Sequence, residues 1–118
     1  MSLDELIITS EKIENVIVYK LQGNLNSFTC QKFLDQVKKG FKQSAIILDM
    51  EDVNMVTSKG ILALKELAEQ SYANRTRVLL LNLSSSVRQV FMMAGIRNLF
   101  MTPDNEETAM KIASRPFR

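Results

Sequence analysis

The chain has 118 residues, 46% hydrophobic and 24% charged, with a formal net charge of +2; that suits one globular domain over 1–118, its core at about 6–113. Lysines and arginines are spread along it, so no concentrated basic face is expected and nucleic acid is not an expected direct partner. It has no histidine and one cysteine, which removes Ser-His-Asp and Cys-His catalysis and an internal disulfide, and fits a reducing cytoplasm.

No apolar run approaches the ~20 residues of a membrane span. The N-terminus lacks the basic and apolar regions of a secretion signal, and Met1-Ser2-Leu3 reads as an expression remnant. Leu6-Ile7-Ile8-Thr9-Ser10 then opens a strand, Glu14-Asn15 turns the chain, and Val16–Leu21 returns as the second arm of an antiparallel hairpin. Gly23-Asn24-Leu25-Asn26-Ser27 breaks the pattern and offers caps for a helix. That helix runs to about Lys39 on Phe28, Phe33, Leu34 and Val37, with Gly40 as its C-terminal stop. Cys30 within it reads as a small packed hydrophobe.

Ala45–Met50 contains the continuous run Ile46-Ile47-Leu48, the pattern of a strand covered on both faces. A polar loop follows, crowded with Asp49, Glu51 and Asp52, which reads as solvated charge instead of a facing carboxylate pair. Val56-Thr57-Ser58-Lys59-Gly60 opens a second helix. Its apolar residues Ile61, Leu64, Leu67 and Ala68 recur at helical spacing, with Lys65, Glu66, Glu69 and Gln70 opposite. Arg77–Leu81 is a short strand, and Asn82–Ser86 supplies the loop and N-cap of a third helix, Val87–Met93, stopped by Gly95. Met92 and Met93, beside Val90 and Phe91, read as core and near-surface filler. Leu99-Phe100-Met101 is a last edge strand, and Pro103-Asp104-Asn105 leads into the helix Glu106–Ala113, acidic in its first turn. The order ββαβαβαβα implies a single α/β domain: a mostly parallel mixed sheet with an N-terminal antiparallel hairpin edge and packed helices.

Ser58 sits where a strand hands over to a helix N-terminus, the place where open α/β sheets put their sites. Catalysis is not expected there. Neighbouring helical residues project ~100° apart, so Lys59 does not readily reach the Ser58 hydroxyl. A phosphate-binding loop needs its glycines before the lysine, whereas Gly60 follows Lys59. No metal site and no cofactor are expected. From spacing, Ser58 reads as an N-cap worth ~1 kcal/mol. A serine at a positive helix end can also carry phosphate, whose charge of about −1.5 to −2 the dipole and free N–H groups tolerate.

Several stretches fall in a specific order over roughly Leu6–Ala113: Gly23-Asn24-Leu25-Asn26, Ile46-Ile47-Leu48-Asp49-Met50 with Val53, and Thr57-Ser58-Lys59-Gly60-Ile61. Leu81-Asn82-Leu83-Ser84 with Val87-Arg88, Phe91-Met92-Met93-Ala94-Gly95-Ile96 and Leu99-Phe100 complete the series. Together they resemble the STAS domains, in particular the bacterial anti-sigma-factor antagonists. The resemblance implies a cytoplasmic, non-enzymatic regulator of transcription working by partner switching. The unphosphorylated protein binds an anti-sigma factor that is also a serine kinase; the kinase phosphorylates the serine at this helix start, and a metal-dependent phosphatase restores it.

On that resemblance Ser58 is the phosphorylation site, and Asn26, Thr57, Ser58, Lys59 and Gly60 form the partner-binding surface, with Gly60 allowing a partner backbone to approach. The family's usual Asp-Ser-Ser-Gly stands here as Thr57-Ser58-Lys59-Gly60, and an acidic residue common after the second strand is Asn26. These replacements remove negative charge and add a positive one. The alternative is a non-phosphorylated STAS scaffold or ligand-sensing module.

Overall fold

Leu6–Ile13 (β1) and Val16–Leu25 (β2), each opening on an apolar run rich in β-branched residues, pair as an antiparallel hairpin, in register from Ile13 opposite Val16 to Leu6 opposite Gly23. The structure, a computed structural model, describes residues 5–116, so the expectation about Met1-Ser2-Leu3 lies outside it. β2 runs parallel to Ala45–Val56 (β3), and β3 parallel to Arg77–Leu81 (β4), giving the strand order β1-β2-β3-β4. The helices are Cys30–Val37 (α1), Ser58–Ala73 (α2), Ser85–Met93 (α3) and Glu106–Ala113 (α4).

The run Ile46-Ile47-Leu48 is buried on both faces of the sheet. Ile46 and Leu48 pack with Phe33 and Val37 of α1, Leu64 and Leu67 of α2 and Val87 and Phe91 of α3. Ile47, pointing the other way by strand alternation, packs with Ala109 and Ala113 of α4 and with Leu79 and Leu81 of β4. One face is therefore covered by three helices and the other by α4. Among the described residues no helix is long and apolar enough to cross a membrane.

The structure corrects the sequence reading at several points. β2 continues through Gly23 and Asn24 to Leu25, and β3 continues to Val56 where a loop is predicted. Register shifts between Lys20 and Gln22, and between Gly23 and Asn24, make β3 bulge twice against β2. Gly40 is no helix stop. It is buried in the 3-10 turn Lys38–Lys42, where a Cβ would stand 2.9 Å from Ile17 Cγ2 and 3.0 Å from Ile46 Cδ1. Phe28 precedes α1 and is 71% exposed. Cys30 is partly buried against the core, as expected.

Leu99-Phe100-Met101 forms no strand. Met101 makes a single parallel bridge to Leu79, its carbonyl accepting from Leu80 N at 2.9 Å. Among the described residues the order of helices and strands is thus ββαβαβαα, with four strands. Pro103, which has no N–H, follows closely and cannot extend the pairing. Met92 and Met93 are surface residues, 55% and 80% exposed.

Candidate functional site

The ends of β2 and β3 bring the loop before α1 and the start of α2 together. Thr57 N donates to Leu25 O at 3.0 Å, so the last residue before α2 is fastened to the last residue of β2. Thr57 is the N-cap. Its backbone is extended and its hydroxyl accepts from Gly60 N at 3.5 Å. This corrects the assignment of the cap to Ser58, which is instead the first residue of α2. Ser58 and Lys59 are both exposed.

Gly60 is buried, and it permits a close internal approach to the main chain of Leu25. Asn26 is likewise buried, 5% exposed. Its Oδ1 accepts from Phe28 N at 2.9 Å and Thr29 N at 3.2 Å, while its own N donates to Thr29 Oγ1 at 3.0 Å. Thr29 Oγ1 in turn donates to Asn24 O at 2.7 Å. This side-chain-to-backbone lattice holds the loop in one shape and presents Phe28 outward. Of the five residues expected at a partner surface, Ser58 and Lys59 are offered to solvent and Thr57 is half-buried. Asn26 and Gly60 shape the site from beneath.

Exposed apolar side chains lie at the same end of the sheet: Phe28, Met55 at 41% exposure and Leu62 at 55%. Sequence reasoning overlooks them, although Leu62 carries a signal. It falls three residues after Lys59 and four before Glu66, within the polar stripe of α2, where a leucine has no core to fill. The acidic residues predicted in a loop belong to β3. Asp49 Oδ1 accepts from Glu51 N and from Asn82 Nδ2, each at 3.1 Å, and Asp52 pairs with Lys20 at 3.6 Å. Tyr19, buried in β2, has its phenol pushed above the ordinary value by desolvation.

The family model for the STAS domain matches residues 8–109. Among named proteins, BtrV of Bordetella bronchiseptica, a candidate anti-sigma factor antagonist by its name, is 26% identical over 106 residues, covering 86% of this chain and 90% of BtrV. The fold matches that of the anti-sigma factor antagonist SpoIIAA of Bacillus. In the unphosphorylated form the TM-score is 0.74 at 22% identity, over 90% of this chain and 96% of SpoIIAA. In the phosphorylated form it is 0.68 at 21%, over 90% and 99%. A candidate anti-sigma factor antagonist of Thermotoga maritima superposes with TM-score 0.80 at 17% identity, over 92% of this chain and 95% of that one.

Proposed function

The chain belongs to the STAS domain family, and from that footing we propose that it is a non-enzymatic signalling regulator of the anti-sigma-factor-antagonist kind. In this reading the unmodified protein docks an anti-sigma factor, itself a serine kinase, through the start of α2. Phosphate on Ser58 releases that partner, a phosphatase restores binding, and the exchange takes place in the cytoplasm.

One observation carries the reading: because Thr57 takes the capping role, the Ser58 hydroxyl stands exposed at the positive end of a 16-residue helix with no hydrogen bond among the described residues. A phosphate there, carrying about −1.5 to −2 charges, is tolerated by the dipole and free N–H groups, so it changes a docking surface without melting the helix. Phe28, Met55 and Leu62 supply apolar contact around it, and Lys59 a charge. BtrV and SpoIIAA carry the antagonist's name, and SpoIIAA is known in phosphorylated and unphosphorylated forms. The absence of histidine supports a role without turnover.

The test is recovery of the protein from its own cells. A kinase-like anti-sigma factor should co-purify with wild type and Ser58→Ala but not with Ser58→Glu, and phosphate should be found on Ser58 in the unbound pool. A partner retained by Ser58→Glu, with Ser58 unmodified in every growth condition, overturns the switch and leaves a non-phosphorylated STAS scaffold.

A further inference from the structure

α3 ends in a turn that folds the following chain back against it. Gly95 has φ 72, Gly95 N donates to Met92 O at 3.1 Å, and Ile96 N donates to Phe91 O at 3.0 Å. This left-handed helix stop returns Arg97 to the side of α3 that carries Arg88. Between the helix and the returning segment lies a cleft of about 390 Å³, within the range of small-ligand sites.

The lining is divided. Leu83, Met92 and the largely buried Phe91 provide an apolar wall, and Arg88, Arg97 and Asn98 a polar one, with no carboxylate of the described residues in the lining. The ion pairs among the described residues lie elsewhere, at Lys20–Asp52, Lys38–Glu66 and Lys111–Glu107. Arg97 Nη1 faces the Met92 thioether at 3.9 Å, a weak acceptor, and Arg88 is exposed. Two guanidinium groups thus share one cleft without a counter-charge among the described residues, beside apolar side chains of which Met92 is largely open to solvent.

We propose that this cleft binds a small amphipathic organic anion, with Arg88 and Arg97 on its charged head and Phe91, Met92 and Leu83 against its apolar body. Guanidinium groups match the planar or tetrahedral oxygens of a carboxylate or phosphate ester by paired, charge-assisted hydrogen bonds. Methionine adapts to the shape of what it covers. The head or the body alone satisfies half of the lining.

The test follows backbone amide NMR shifts of the whole chain against three probes: phenyl phosphate, inorganic phosphate and benzyl alcohol. Phenyl phosphate should give saturable shifts at Leu83, Arg88–Met92 and Arg97–Asn98, with the other two weaker by about tenfold or more. Arg88→Ala and Arg97→Ala, changes at exposed positions that leave the spectrum dispersed, should each weaken phenyl phosphate by about fivefold to tenfold. Arg88→Lys, which keeps the charge and loses the fork, should weaken it by less. Shifts centred elsewhere, phenyl phosphate no tighter than inorganic phosphate, or unchanged affinity in both alanine variants would overturn the assignment.

Discussion

Gly60 of α2 lies directly against Leu25 of β2: a Cβ placed on Gly60 would run into the Leu25 carbonyl oxygen and stand 3.1 Å from both its carbonyl carbon and its Cγ. The nearest obstacle is main chain, so no rotamer change relieves it. Gly60→Ala therefore sets an overpacking cost of roughly 1–3 kcal/mol against a helix-propensity gain of about 1 kcal/mol, and the cost should win. In urea the unfolding midpoint should fall while the slope holds. A midpoint that stays or rises would mean that α2 is not seated on β2 at this contact.

The division of labour between Thr57 and Ser58 makes a second prediction. Thr57→Ala should cost about 0.5–1 kcal/mol, the lower part of the capping range, because the hydroxyl is 3.5 Å from Gly60 N. Ser58→Ala, at an exposed position, should stay within about 0.5 kcal/mol of wild type. Thermal melts of the two variants decide it. A larger loss for Ser58→Ala would return the cap to Ser58 and remove the free hydroxyl that a phosphoacceptor requires.

That one-residue distinction marks the limit of what the sequence discloses about the site. Threonine and serine are both good caps, and adjacent hydroxyls leave the helix start ambiguous by one position until φ and ψ are known. Arg77–Leu81 and Glu106–Ala113 are legible to the residue, because an apolar run and a capped amphipathic stretch each obey one period throughout. The second half of β3 is not. Its two bulges leave Val53 and Val56 buried with two exposed residues between them, a spacing foreign to a flat strand. The burial of Asn26 is equally hidden, since an asparagine after a strand reads as exposed turn until its amide is seen holding the loop.

Tyr19 gives the fold an alkaline limit. Burial raises its phenol above the ordinary 10.0, so the folded state holds this proton more tightly than the unfolded chain does. The contribution is fully present below the unfolded value and is lost as pH rises through the folded one, so stability should fall above about pH 10. Tyr19→Phe removes this component while the lysines titrate in both proteins. The stability difference between wild type and variant, measured from about pH 9 to 11.5, should therefore shift against wild type. Parallel curves would mean that unfolding does not change the surroundings of the phenol.

If Ser58 carries phosphate as proposed, Lys59 should blunt the response to it. A family member with aspartate at the cap position adds phosphate to an existing carboxylate and builds a strongly negative patch against its partner. Here Thr57 brings no charge, and the exposed Lys59 follows Ser58 directly. An exposed pair of this kind is worth only ~0.2–1 kcal/mol, so it reduces the affinity gap between modified and unmodified protein without closing it. Lys59→Ser should widen that gap by up to about fivefold, the upper end of the same range. Thr57→Asp should widen it again, and it keeps the helix start intact because aspartate caps at least as well as threonine. Partner affinity for each variant, with and without phosphate, is the measurement, and the widening should shrink as salt screens the exposed charges. If Lys59→Ser leaves the gap unchanged at both low and moderate salt, the charge beside Ser58 does not tune the switch, and the modified serine acts by blocking contact alone.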